Sequence, residues 1–211
     1  MINIKRITKE QMLTSWADLK ERASVGKLDE FLRSGDTIDI TLKNGEAVTL
    51  MIGKDKKGTI YFASKDCLVQ PHVMNNVRTC KGGWAKTEMR RYLNEEIFSL
   101  LPDELQTVVK PTTIVQIVDN ERLEEEDKLF CFSSTQVFGF NNSVHEPEDT
   151  QIDIFAKTEN RIKKCASSKT YWCLRSLDEV NDKFFCSVNF GGDSHSIGAC
   201  VSGGVAFGFT I

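Results

Sequence analysis

The sequence lacks any apolar run near the roughly 18 residues that cross a bilayer as a helix, so membrane insertion is not expected. It also lacks a basic excess: 27 Lys and Arg stand against 30 Asp and Glu, a formal net charge of -3. Non-specific nucleic-acid binding needs cations that displace counterions from phosphates, so a nucleic-acid partner is not expected. The first twenty residues hold no continuous apolar stretch, and a secretory signal is not expected either. Paired cysteines are missing as well. Cys67, Cys80, Cys131, Cys165, Cys173, Cys186 and Cys200 form an odd, scattered set with no CxxC. Reduced and mostly buried thiols are therefore expected, not a disulfide framework.

Catalytic signatures are absent: no GxGxxG, no P-loop, no GxSxG and no HExxH occurs. His72 lies between Cys67 and Cys80, at a spacing unlike the ligand pairs two to four residues apart that zinc prefers. His145 and His195 stand in unrelated contexts, and no local signature marks a cysteine–histidine nucleophilic pair. No metal and no cofactor is expected. Glu146-Pro147 matches the Glu-Pro pair of calcium-dependent sugar-binding loops. Glu148 stands where the next asparagine belongs, and no Trp-Asn-Asp follows.

What is present is a change of period along the chain. Met12, Trp16, Leu19 and Ala23 predict an amphipathic helix over 8–24, and "KLDEFLRSG" predicts a short second one stopped by Gly35. Together they make an expected N-terminal helical extension, residues 1–35, before a main domain over 36–211. "DTIDITLKNGEAVTLMIG" alternates about Asn44-Gly45, the signal of a hairpin, and "GTIYFAS" predicts a third strand. Ala85, Met89, Leu93 and Ile97 fall at helical spacing, Pro102 ends that run, and Asp103 is expected to cap a short helix. "TTIVQIV" reads as a strand, "NERLEEEDK" as a charged, solvated loop, and "KLFCFSSTQVFGF" as strand then turn. "NNSVHEPEDTQID" reads as loop and "FAKTENRIKKCAS" as helix. "TYWCLRS", "FFCSVNF" and "GGVAFGFTI" read as strands, separated by a loop, "LDEVNDK", and by the turn-rich "DSHSIGACVS". Helices between strands give an α+β chain with a mainly antiparallel sheet and two or more helices. Arg175, flanked by apolar residues, needs partners for its charge and five donors. A structural arginine bonded to loop carbonyls meets that need. Trp84 and Trp172 read as core.

The pieces Trp172, Leu174, Arg175 and Ser176, then Phe185, Cys186, Val188 and Gly192, then Gly204 to Phe209, form a familiar series. The chain resembles the variable proteins of diversity-generating retroelements, particularly those of gut Firmicutes and their phages. "GGWAKTEMRRYLN", "LLPDELQTVVKP" and "DKLFCFSSTQVFG" resemble the same family's N-terminal part. The resemblance implies a C-type-lectin-like fold and a non-enzymatic, receptor-like protein that binds a protein or glycan ligand through a hypervariable region over about 171–211. It implies diversification by copying errors at adenines, which randomises asparagine codons and never yields Lys, Glu, Gln, Met or Trp. Residues 1–183 hold 48 of those five types and residues 184–211 hold none.

Carried over position by position, the resemblance implies ligand-facing roles for Asp178, Asn181, Asp182, Phe184, Ser187, Asn189, Phe190, Asp193, His195, Ile197, Gly198, Val201 and Gly203. It implies structural roles for Trp172, Arg175, Phe185, Cys186, Val188, Val205, Phe207 and Phe209. Glu179 and Lys183 depart from the codon pattern in the loop before the segment. The alternatives are an enzyme on the related fold of formylglycine-generating enzymes, or a non-varying adhesin or structural domain. The expected location is the cytoplasm or a phage virion, with surface display by another route left open.

Overall fold

The computed structural model describes residues 1–6, 11–140 and 145–211, the side chain of Gln11 apart. The chain opens with two strands, β1 (Ile2–Lys5) and β2 (Gln11–Thr14), paired antiparallel. The helix expected over 8–24 begins only at Trp16 and runs to Ser24, because Ser15 and Asp18 form a capping box. Ser15 Oγ accepts from the Asp18 amide at 3.1 Å and the Asp18 carboxylate accepts from the Ser15 amide at 3.1 Å. That reciprocal pair fixes the start of a helix and leaves Met12 in a strand. Residues 8–10 of the expected helix lie outside the described residues. The second short helix is Leu28–Phe31. The first 35 residues are thus not a purely helical extension: Ile4 of β1 pairs with Ile38 of β3 (Thr37–Thr41), inside the main sheet.

β4 (Ala47–Lys54) follows β3 through the Asn44-Gly45 turn, and β5 (Ile60–Ser64) completes the meander. Helical turns then run over Trp84–Lys86, Glu88–Arg91, Tyr92–Ile97 and Phe98–Leu100, burying Met89, Leu93 and Ile97. In the helix Asp103–Gln106 the cap position belongs to Pro102, and Asp103 sits in the first turn, 2.7 Å from Lys43 Nζ.

The charged "loop" is a strand. β6 (Thr112–Val118) and β7 (Glu121–Asp127) pair along their whole length. Asp119 and Asn120, at φ 53° and 65°, make the two-residue turn, a left-handed geometry that suits hairpin twist and that Asp and Asn tolerate. Leu123, Glu125 and Asp127 share the inner face, and Asp127 is buried under Trp84 Nε1 at 2.6 Å and Arg90 Nε at 2.7 Å. Burial pushes the Asp127 carboxyl up in pKa, against those two donors.

"KLFCFSSTQVFGF" holds no strand; it carries the helix Ser134–Phe138, opened by a Ser133–Gln136 capping box and closed by Gly139 in the left-handed region. The helix expected near 155–167 is two short turns, Asp153–Ala156 and Thr158–Arg161, then the hairpin β8 (Lys163–Cys165) and β9 (Ser168–Thr170). β10 (Trp172–Leu177), β11 (Phe184–Val188) and β12 (Ser194–Gly198) form a three-stranded antiparallel sheet. The expected final strand shrinks to β13 (Gly208–Phe209) plus single bridges from Gly203, Gly204, Gly208 and Thr210. The main sheet has the order β13-β5-β4-β3-β1-β2 and is antiparallel throughout. The architecture is α+β, with mostly antiparallel sheets and few helices.

The core is centred on the C-terminal segment. Phe209 stacks on Phe62 with centroids 5.0 Å apart and planes 5° from parallel, and Trp16 also packs on Phe62, tilted by 57°. Phe130, Phe132, Phe155 and Trp172 extend the cluster. Gly208 passes directly beneath the Phe132 ring, where a Cβ would collide with it. Phe207 is fully buried, whereas Val201 is exposed. Phe207→Ala is therefore expected to cost about 3–5 kcal/mol, and Val201→Ala to leave thermal melting unchanged; the reverse order would refute this division.

Lys163 is fully buried, with no carboxylate partner among the described residues. Its ammonium donates to the carbonyls of Ser64 and Lys65 and lies 4.9 Å from the Trp172 ring centroid. Burial pushes its pKa down to about 8. Between that value and the ordinary lysine value the unfolded chain binds the extra proton, so the cost of this group to folding shrinks as pH rises. Denaturant unfolding of the parent and Lys163→Met should show the parent gaining relative stability from pH 8 to 10.5, by at most roughly 3 kcal/mol. A flat difference would show that the buried amine does not titrate in this window.

Candidate ligand-binding site

Register decides which residues of the three-stranded sheet share a face. Cys173, Ser187 and His195 are aligned across it, as are Leu177, Phe185 and Ile197; Cys186 pairs with Ser196 and Val188 with Ser194 and Trp172. Directly opposed residues point the same way and neighbours along a strand point oppositely. Phe185 and Cys186 therefore cannot both face inward from one regular strand. Phe185, Val188 and Trp172 are buried, but Cys186 is only half-buried, on the Phe184 side. Ser187, assigned outward from the resemblance, is fully buried on the Phe185 side. Gly198 and Gly203 are likewise buried. A Cβ on Gly203 would stand 2.6 Å from Cys173 Sγ, so this backbone packs directly on β10. Val205, Phe207 and Phe209 are buried in the core.

The accessible members of the assigned set are Asn181, Asp182, Phe190, Asp193, His195 and Val201, with Asp178, Phe184, Asn189 and Ile197 half-buried. Two of these build turns. Asp178 Oδ1 accepts from the amides of Val180 at 3.0 Å and Asn181 at 2.9 Å, and its other oxygen accepts from Ser196 Oγ. Burial works against the charged form, yet these three donors hold the Asp178 carboxyl below the usual carboxylate range. Asn189 Oδ1 accepts from the amides of Gly191 at 2.7 Å and Asp193 at 3.0 Å, fixing the β11–β12 turn. That turn presents Phe190 edge-on to Tyr171 at 5.3 Å, and Tyr171 meets His195 at 5.1 Å. Tyr171 completes an aromatic patch that the sequence reading missed, although its place beside buried Trp172 puts it on the opposite face. Arg78 lies over the Phe184 ring at 5.2 Å.

Beneath the sheet, Arg175 is fully buried. Its Nη1 donates to the Cys131 carbonyl at 2.7 Å and Gln136 Oε1 at 2.8 Å, and its Nη2 pairs with the Asp149 carboxylate. Trp172 Nε1 donates to the Arg161 carbonyl at 2.8 Å, and Arg161 Nε donates to the Gly192 carbonyl at 2.8 Å. The scaffold thus reaches the turn that carries Phe190. Glu146 of the Glu-Pro pair is buried and accepts from Gln116 Nε2 at 2.9 Å, so it faces the scaffold interior. Among the described residues no group of three His, Cys, Asp or Glu is placed to hold a metal ion. All seven cysteines are free. Burial pushes the Cys67, Cys80 and Cys173 thiols up to about 12 and Cys186 up to about 11, away from the low pKa of a reactive thiol.

Two cavities of about 380 and 480 Å³ flank the loop after β10 and share His145 and Leu177 to Val180 as a wall. The smaller has Ser134, Ser176, Cys186 and Ser196 around its floor. In a separate groove of about 660 Å³, Arg90 pairs with Glu125 and Asp127 and Arg91 with Glu88, and Lys86, Glu95, Glu126 and Lys128 line it as well.

Burial along one face can be tested by charge. Ser187→Lys is expected to destabilise by about 3 kcal/mol or more, since it buries an unpaired cation. His195→Lys, on the neighbouring strand at the same register, should stay within about 0.5 kcal/mol of the parent. Equal costs in urea unfolding would overturn the assignment of Ser187 to the interior.

No curated protein and no solved structure matches the chain. The family described as "Domain of unknown function (DUF6273)" matches residues 57–211. That stretch contains β5 to β13, the Arg175 network, both cavities and the aromatic patch. The chain belongs to the DUF6273 family.

Proposed function

We propose that this protein is a non-enzymatic, receptor-like binding protein with a C-type-lectin-like fold, and that a retroelement diversifies its C-terminal surface. One observation carries the reading: the exposed positions of residues 184–211 share the codon bias. A buried, glycine-rich segment is poor in Lys and Glu for packing reasons alone. Solvent-exposed positions carry no such constraint. Among the described residues before 184, 28 of 70 exposed ones are Lys, Glu, Gln, Met or Trp. At that rate about three would be expected among the seven exposed positions from 184 onward, and there are none: Phe190, Asp193, Ser194, His195, Cys200, Val201 and Ser202.

The geometry suits such a surface. Exposed side chains project from turns and strands whose backbone is held by fully buried neighbours, so the outer residues can change without loss of the fold. Tyr171, Phe190 and His195 would act as anchors, since rigid aromatic groups dominate binding energy. The ligand is a protein or a glycan. Sequencing the source genome should reveal a near-copy of the gene's 3' end beside a reverse transcriptase, differing mainly at adenines and at codons such as those of Asp193, His195 and Val201. Sibling genomes with identical residues at these positions, and no such copy, would refute diversification and leave a fixed domain.

A further inference from the structure

We propose that one end of the β10–β11–β12 sheet binds a neutral pyranose sugar through Tyr171, Asn189, Phe190, Asp193 and His195. The register brings these side chains together. Val188 pairs with Ser194, and the Asn189 amide donates to the Asp193 carbonyl at 2.9 Å, so Asn189 and Asp193 are the next opposed pair. Opposed residues share a face, and the face alternates along a strand. Asn189 and Asp193 therefore lie on the face of Ser187 and His195. Tyr171 is on that face too, two residues before Cys173, and meets His195 at 5.1 Å. Phe190, in the turn between Asn189 and Asp193, meets Tyr171 at 5.3 Å and is 55% exposed. Ser194 and Ser196, on the other face, line the cavity of about 380 Å³ instead. The turn is held from behind: Arg161 Nε donates to the Gly192 carbonyl at 2.8 Å, and a Cβ on Gly192 would stand 3.0 Å from the Thr158 carbonyl oxygen. A site fixed before binding loses little freedom on binding.

The hydrogen-bonding capacity left at this end selects the ligand. Asn189 Oδ1 is spent on the turn. The Asn189 amide nitrogen, the Tyr171 hydroxyl, the Asp193 carboxylate and the His195 ring nitrogens make no hydrogen bond among the described residues. An amide nitrogen only donates, a carboxylate only accepts, and a hydroxyl or a neutral imidazole does both. An anion offers acceptors alone and meets the Asp193 charge. An ammonium or guanidinium offers donors alone and leaves the amide and its neighbours without acceptors. A hydrocarbon satisfies none of them. Each hydroxyl of a sugar donates and accepts at once, so one pyranose ring can serve the whole set. Its apolar C–H face also suits the negative π face of an exposed aromatic ring. Asp193 is the one carboxylate among the five side chains, and no lysine or arginine joins them. The match is therefore to a neutral sugar and not to a uronic or sialic acid. These groups reach the sugar directly, with no metal ion between.

Asn189, Phe190, Asp193 and His195 belong to the ligand-facing set, so the inference deepens the binding reading above and rests on it. Its test is separate. The full chain would be titrated by NMR in EDTA with the methyl glycosides of glucose, galactose, mannose and N-acetylglucosamine, each beside an oligosaccharide that ends in the same sugar. Glucuronate and tetramethylammonium serve as the charged comparisons. Saturable, millimolar binding of at least one neutral sugar, moving the amide signals of 189–195, is the expected result, with neither charged compound binding as well. An oligosaccharide tighter than its methyl glycoside would identify the end of a glycan chain as the source, and the reverse order a free sugar. Phe190→Ala should abolish binding and Asp193→Asn should weaken it about tenfold. Both side chains are exposed, so the melting temperature should not change. Ser194→Ala, on the opposite face, should bind like the parent. No binding of any neutral sugar, equal binding of glucuronate or tetramethylammonium, or full affinity in both site variants would overturn the inference. Sequence variation at residues 184–211 would survive that failure, with a protein as the ligand. Invariant residues at these positions would leave the sugar site standing, so the two readings can fall separately.

Discussion

The constraint on which the rest of the structure depends is the passage of residues 203–211 through the core. This segment pairs with β5 through Gly208 and Phe209, bridges Phe130 and Lys110 on its other side, and stacks Phe209 on Phe62. Every residue from 203 to 211 is buried. The segment therefore ties the N-terminal meander to the Phe130–Phe155 cluster. It also fixes the far end of the β10–β11–β12 sheet, since Gly204 bridges Trp172 and Gly203 lies on Cys173. A surface just upstream can then carry side chains chosen for contact, because its backbone is positioned by residues that do not touch solvent.

The second layer of the account is polar. Arg175, Lys163 and Asp127 are buried charges, and each finds partners of a different kind. Arg175 joins the Cys131 carbonyl, Gln136 and Asp149; Asp127 takes an indole and a guanidinium; Lys163 has two carbonyls and two aromatic faces. Such groups stabilise little over apolar replacements, but each tolerates very few alternative arrangements. They join segments far apart in sequence: Cys131 and Gln136, the latter in the Ser134–Phe138 helix, to β10, and the end of β5 to β8. The three-stranded sheet that carries the site is therefore held by buried polar contacts as well as by apolar packing.

Legibility in the sequence followed the range of the interactions. The Asn44-Gly45 hairpin was readable because the turn chemistry and the alternation on both sides are local. The β6–β7 hairpin was not, because five acidic residues in seven masked the alternation of Leu123, Glu125 and Asp127, and Asp119-Asn120 is a rarer turn pair. The first helix was placed too early because Met12 fits its spacing, while the Ser15–Asp18 box that starts it begins three residues further on. At the candidate site, exposure of Phe190, Asp193, His195 and Val201 agrees with the positions drawn from the resemblance. Ser187 and Cys186 were interchanged, because both faces of β11 are partly covered by distant segments and polarity alone cannot say which. Ser134 and His145 were out of reach altogether. They line the smaller cavity from 60 and 49 residues upstream of β12, through contacts that no local pattern encodes.

Native-state hydrogen exchange tests the central claim most directly. The amides of Ser64, Phe207 and Gly208 are bonded to Phe207, Ser64 and Phe130 respectively. They should exchange only through global unfolding, with the full denaturant dependence of the domain. The amide of Gly192, in the turn that carries Phe190, should exchange through local opening at far lower free energy. Early exchange across 204–210, with 189–193 as well protected as β5, would contradict the account.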